Sequence, residues 1–230
     1  MALILNIETS SSICSVALAK DGEILLGFES SKEMDHSISL APFVKKCIDF
    51  VKGKEEKLDA VSVSAGPGSY TGLRIGMSLA KGLAFGMNIP LITLSSLQIL
   101  VVRAIFSYEN FEGDEIIIPM IDARRMEVYA GVFDSSLHAV EEEKPIILDE
   151  LSLNEYKDGS KVLFIGNGTE KFRPLFISGN AVWLGNHLPH AKYMVSLSEL
   201  YYRRKQFSDI AYSVPFYLKE YQTTKPKSRI

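Results

Sequence analysis

The stretch from Ala60 to Ala84 constrains this chain most. A buried-strand run, AVSVSA, breaks into the turn GPGS and continues as a helical pattern whose small residues, Gly72, Gly76, Ala80 and Ala84, recur every fourth position. Residues four apart share one helix face, so that face is nearly flat and a backbone of its own lobe, the default reading, or of a second subunit can come close to it. Gly66, Gly68 and Gly72 permit close approach or positive φ, Pro67 sets one turn residue, and Ser69 or Thr71 can cap the helix. A helix start with open amides is also a natural anion site. The spelling GPGSYTGLR nevertheless lacks the GK[ST] of a phosphate loop and misses GxGxxG by one residue. On the residues alone, a strand and helix packed tightly together is the stronger reading.

Around this unit the chain reads as two similar halves. Leu3 to Thr9 is a buried strand, Cys14 to Lys20 alternates in period two, and Asp21-Gly22 signals a hairpin into Glu23 to Glu29. A helix follows with Phe43, Val44, Cys47, Ile48 and Val51 on one face, Pro42 near its first turn and Gly53 at its stop. After the Gly66 loop come a helix from Thr71 to about Phe85, a strand from Ile89 to Leu94, and a helix capped by Ser95 that runs to about Phe106. The polar segment Glu112 to Glu115 separates this from a second series of strands: Ile116 to Asp122, Met126 to Phe133, Pro145 to Leu148 and Lys161 to Ile165. A loop GNGTEKF and a helix from Tyr193 to Lys205 close the pattern. Lobes of residues 1–108 and 109–230 are expected, with the final segment returning to the first. Each is an α/β lobe with a mixed sheet covered by helices, and a crevice lies between them.

At 230 residues, 47% of them apolar, the chain can bury an ordinary core. A formal charge of −3 argues against a strong nucleic-acid field of its own. Cys14 and Cys47 lack the spacing of a zinc site or a disulfide framework, which suits a reducing cytoplasm. No basic leader precedes MALILNIE and no apolar run is long enough to span a bilayer, so a soluble cytoplasmic protein is expected. Arg124-Arg125 and YYRRK (Tyr201 to Lys205) are read as solvated surface, as is the tail with Lys225, Lys227 and Arg229.

The strings ILNIETSSSICSVAL, HSISLAPFV and GPGSYTGLRIGMSLAKGLA, with PFYLKEY near the end, resemble the bacterial TsaB (YeaZ) family. The resemblance implies a two-lobed actin-like (ribonuclease H-like) ASKHA fold. It also implies a non-catalytic scaffold subunit for threonylcarbamoylation of adenosine next to the anticodon in tRNA. TsaD and TsaE are the implied partners, tRNA is met only through the complex, and a homodimer forms in isolation. In the catalytic paralogue TsaD a helix carries two metal-binding histidines four residues apart, and this chain has Ser96 and Leu100 there. No catalytic residue, no metal site and no cofactor of its own is therefore expected, beyond weak ATP or ADP binding. The partner interface is expected on the two first-lobe helices, at Ile38, Leu40, Ala41, Val44, Gly72, Leu73, Gly76, Met77 and Ala80. A vestigial nucleotide crevice is expected at Glu8, Ser10, Gly66, Gly68, Ser69 and Asp122, because Glu8 and Asp122 end the first strand of each lobe, where actin-like ATPases keep acids. The rival reading is a metal- or nucleotide-dependent enzyme of the same superfamily, either a glycoprotease-like peptidase or a small-molecule kinase. None of the histidines rebuilds a metal site: His187 and His190 flank Pro189 in a loop, His36 starts a helix, and His138 sits in a polar turn.

Overall fold

The structure, a computed structural model, describes residues 2–31 and 35–216. The first lobe opens with the meander β1 (Leu3–Glu8), β2 (Cys14–Lys20) and β3 (Glu23–Ser30), and Asp21 and Gly22 take the positive φ of a hairpin turn. Helix α1 (His36–Gly53) buries Leu40, Val44, Cys47 and Val51. The sequence places Pro42 in the first turn of this helix. The helix starts earlier, where the Ile38 and Ser39 amides donate to Asp35 O, so Pro42 lies inside it. Strand β4 (Ala60–Gly66), α2 (Tyr70–Met87), β5 (Leu91–Ser95) and α3 (Ser96–Ser107) follow. Ser95 caps α3, its hydroxyl accepting from the Leu97 and Gln98 amides.

The second lobe is the same design. Its strands are β6 (Ile116–Asp122), β7 (Glu127–Phe133), β8 (Ala139–Ile147), β9 (Val162–Ile165) and β10 (Ala181–Trp183), with α4 (Thr169–Phe172) before β10 and α5 (Ala191–Arg203) after it. The first sheet runs β3-β2-β1-β4-β5 and the second, read from its own third strand, β8-β7-β6-β9-β10. In both, the meander is antiparallel and the last two strands join parallel to the first. This is the two-lobed actin-like α/β fold, with a duplication in topology that the residues hide. The sequence shows only Pro145 to Leu148 of β8, because AVEEEK is masked by charge on an exposed edge strand, and β10 is too short to show a period.

Helix α3 is the wall between the lobes. Ile99 and Val102 pack with Ala191, Met194, Val195 and Leu197 of α5 over the first sheet, while Leu97, Leu100, Val101 and Ala104 pack with Ile117, Leu163 and Ile165 of the second. Between Ala191 and Phe216 the chain lies against the first lobe. Ser208 N donates to Leu91 O at 2.8 Å, Phe216 N to Ala65 O at 2.5 Å, and Lys81 Nζ to the Ala211 and Ser213 carbonyls. The motif PFYLKEY from Tyr217 on, and the basic residues of the tail, lie outside the described residues.

The small-residue ridge of α2 faces its own sheet. Gly72, Gly76, Ala80 and Ala84 are buried, and a Cβ built on Gly72 or Gly76 would overlap the Thr9 carbonyl or hydroxyl. Replacing Gly76 with Leu is expected to lose about 2–4 kcal/mol in urea denaturation, by overpacking the α2–β1 contact. Gly82→Ala, whose Cβ meets open space, should hold or gain stability by about 1 kcal/mol.

Candidate functional site: the cleft between the lobes

The ends of β1 and β6 meet a cleft of about 780 Å³ lined by Ser10, Ser11, Ser12, His36, Ser37, Gly68, Ser69, Thr71, Gly72 and Ile75 from the first lobe, and by Ile121, Asp122, Asn167, Leu188 and Pro189 facing them. The first wall is built by the turn after β4. Ser69 N donates to Ser10 O at 2.6 Å, and the Ser69 hydroxyl caps α2 by accepting from Gly72 N at 3.2 Å. Gly68, at φ +157, lies so close to the Ser10 backbone that a Cβ would collide with it. The glycines thus set the distance between the β1 loop and the start of α2, and with it the width of the cleft wall.

Of the six crevice residues expected from sequence, Ser10, Gly68, Ser69 and Asp122 line the cleft. Gly66 is buried behind them, and Glu8 is fully enclosed. The reason is topological: β1 is the central strand of its sheet, covered on both sides, so no side chain reaches solvent before the loop at Ser10. Glu8 Oε1 accepts from Ser10 N at 2.5 Å, while Oε2 has no hydrogen-bond partner among the described residues. Burial pushes its carboxyl up to about 7, a rise tempered by the nearby Ser10 and Ser64 hydroxyls.

Asp122 keeps its place at the cleft but is already engaged. Its Oδ1 accepts from the Lys171 ammonium at 2.8 Å and from the Arg124 amide at 2.5 Å. Partial burial works against its charge, yet the contacts of Lys171 and Arg124 outweigh it and hold the carboxyl below the usual range. Lys171 Nζ also donates to Arg125 O at 2.8 Å and Glu127 O at 2.5 Å. An ammonium therefore sits among three oxygens that a hard divalent cation would use. The two strand-end acids do not converge on one site: one is enclosed, the other paired.

Ser96 and Leu100, which the resemblance sets at the paralogue's histidine positions, are fully buried on α3. His190 caps α5, its Nδ1 accepting from Lys192 N at 3.1 Å, so Nε2 carries the proton and donates to Glu29 at 2.6 Å. His138 pairs with Asp134. Glu112, Asp114 and Glu115 lie close together, with Glu115 accepting from the Glu112 and Gly113 amides to close its own turn. One functional-looking residue was invisible in the sequence. Glu143 of β8 accepts from the Ser95 hydroxyl at the α3 cap, tying the second lobe to the helix shared by both, and burial pushes its carboxyl up to about 7. In the run EEEK nothing distinguishes it from its neighbours.

The expected partner interface needs the larger correction. Leu40, Val44, Gly72, Leu73, Gly76, Met77 and Ala80 are buried inside the first lobe, and only Ile38 and Ala41 are exposed. Helical spacing shows that the small residues share a face but not which way that face points. The crossing of Thr9 and Ser10 beneath α2 turns it inward. What remains outside on the two helices includes Ile38, Ala41 and Pro42 of α1 and Ser78, Gly82, Phe85 and Gly86 of α2, together with charged residues such as Lys45, Lys46 and Arg74.

Comparison with known proteins agrees with this architecture. A family model described as TsaD, tRNA N6-adenosine threonylcarbamoyltransferase, matches residues 30–228. The tRNA threonylcarbamoyladenosine biosynthesis protein TsaB of Bacillus subtilis (strain 168) is 30% identical over 222 residues, 94% of this chain and 93% of that protein. The chain belongs to the TsaB family. The TsaB of Haemophilus influenzae (strain ATCC 51907 / DSM 11121 / KW20 / Rd) is 27% identical over 96% of this chain and 95% of its own. The solved structure of YeaZ from Pseudomonas aeruginosa superposes with a TM-score of 0.78 at 27% identity, covering 95% of this chain and all of that one. The TsaB likeness thus extends well past the first hundred residues, where its motifs are concentrated.

The buried Glu8 makes a testable stability signature. Burial pushes its folded carboxyl up to about 7, so the unfolded chain releases its proton first as pH rises. Stability is therefore lost between about pH 4.5 and 7 and flat above. Glu8→Gln should gain on wild type by up to ~3 kcal/mol between pH 4 and pH 8 in urea titrations. A difference that does not change with pH would show that Glu8 ionisation is not linked to folding.

Proposed function

We propose that this chain is the non-catalytic scaffold subunit of a complex that threonylcarbamoylates adenosine next to the anticodon in tRNA, holding TsaD in working order together with TsaE. The reading rests on family membership, and one observation carries its non-catalytic part. At the place where the resemblance sets the paralogue's metal-binding pair, Ser96 and Leu100 are both without exposure, and Leu100 lies in the apolar cluster between the lobes, so neither is offered to a metal. The enclosed Glu8 and the Lys171–Asp122 pair support this reading over the rival enzyme.

The partner surface is the outer side of α1 and α2. On α1 Ile38 is 71% exposed, and on α2 Phe85 is 80% exposed, with Gly82 and Gly86 near it having open space above their Cα atoms. Exposed apolar side chains around flat positions fit the close approach of partner helices. In isolation the same face pairs two copies of the chain, giving a homodimer that TsaD displaces.

Ser78 and Gly82 are exposed, so Ser78→Arg with Gly82→Arg tests the surface without disturbing the core. The double variant is expected to fold as wild type by circular dichroism, to lose co-purification with TsaD, to elute as a monomer, and to fail to restore the modified nucleoside in cells lacking the native chain. Retained pairing and retained modification would overturn the surface. Turnover of ATP by the purified wild-type chain alone would overturn the non-catalytic assignment.

A further inference from the structure

The connection from β6 to β7 is a tight turn in which two successive arginines, Arg124 and Arg125, take left-handed backbone with φ of 70 and 51. Residues with side chains avoid this conformation, which is the province of glycine, asparagine and aspartate. Much of the surrounding structure holds the turn in it. Ala123 N donates to Glu127 O at 3.0 Å, Glu127 N to Arg124 O at 3.2 Å, and Arg124 N to Asp122 Oδ1 at 2.5 Å. Lys171 reaches across from α4 to clamp the Arg125 and Glu127 carbonyls. A disfavoured backbone that is braced from several sides is a feature found where function sets the geometry.

The braced turn displays charge. Both arginines are exposed, and among the described residues neither guanidinium has an ion-pair partner within bonding distance, although Arg124 lies near enough to Asp122 to lower its pKa. The acid beside them is spent: Asp122 is bound by Lys171. Asp149, one residue beyond the Leu148 amide that donates to Met126 O, turns its carboxylate to Ser152 and the Leu151 amide. Arg173 adds a further exposed cation two residues past Lys171. The acids Asp122, Glu127 and Glu170 stand close by in the chain, so what the turn offers is not a basic field but two exposed guanidinium groups two and three residues beyond the Asp122 wall of the cleft.

We propose that the Arg124–Arg125 turn is an RNA-backbone contact, through which this subunit adds phosphate binding of its own to the assembled complex. The chemistry favours a phosphodiester chain. Guanidinium forks match phosphate oxygens bidentately, and a projecting turn encloses no small anion but can lie along a polyanion that brings spaced charges. A rigid turn also lowers the entropy lost when the contact forms. The inference rests on the tRNA-modification reading above.

The test uses full-length chain co-purified with TsaD and titrated with tRNA from the same cells at several salt concentrations. Arg124→Asn with Arg125→Gly removes both cations while installing residues that accept left-handed backbone, so the fold should be kept and Tm should equal or exceed that of wild type. Expected are an approximately tenfold weaker tRNA affinity and a salt slope shallower by about 1.4–1.8, the value for two lost phosphate contacts, with TsaD pairing unchanged. Arg124→Lys with Arg125→Lys should keep most of the salt slope. Wild-type affinity and slope in the Asn/Gly variant would overturn the proposal. So would loss of TsaD pairing with tRNA affinity intact, which would assign the turn to an acidic protein surface. If the wild-type complex binds tRNA and restores modification while the variant does so equally, this inference alone fails. If cells without the chain retain the modification, the scaffold reading fails first.

Discussion

Helix α2 crosses the end of β1 so closely that Gly68, Gly72 and Gly76 have no room for a Cβ against Ser10 and Thr9. Glycine in a helix interior costs about 1 kcal/mol relative to alanine, so two such residues in α2 weaken it as an isolated helix. The loss is offset by burial, since close approach brings Leu73, Met77, Ala80 and Ala84 into the core of the first lobe. From this one contact follow the wall of the cleft, the inward turn of the small-residue ridge, and the exposure of the opposite side of α2.

A second pattern is the use of polar groups as structure. Glu8, Asn6, Ser62 and Ser64 lie inside the first sheet, Glu143 ties the second lobe to the Ser95 cap, and Lys171 occupies the oxygen-lined position beside Asp122. Burial of the Glu8 and Glu143 carboxyls pushes both up to about 7, so their charged form is costly. Of the two strand-end acids, Glu8 is enclosed by its own lobe and Asp122 is held by Lys171. The outer helix faces and the braced Arg124–Arg125 turn are correspondingly the parts that look outward.

Local chemistry was legible in the residues. Period-two alternation defined Cys14–Lys20, an unbroken apolar run ending in an acid defined Ile116–Asp122, and serine at position 95 marked the start of α3. These depend on contacts a few residues long, which propensity and spacing report directly. The charged edge strand β8 and the three-residue β10 escaped because their pairing partners, β7 and β9, supply the order that their own sequences lack.

By itself the sequence determined two α/β halves, a strand–glycine turn–helix unit at the heart of the first, and membership of a family whose motifs cluster there. Only the tertiary structure decided which side of α2 faces the core, that α5 belongs to the first lobe, that Glu8 is enclosed while Asp122 is open, and that Lys171 reaches across to the turn after β6. The physical reason is the same in each case. Periodicity states which residues share a face, but the direction of that face, and the partner of each charge, depend on elements brought together from distant parts of the chain.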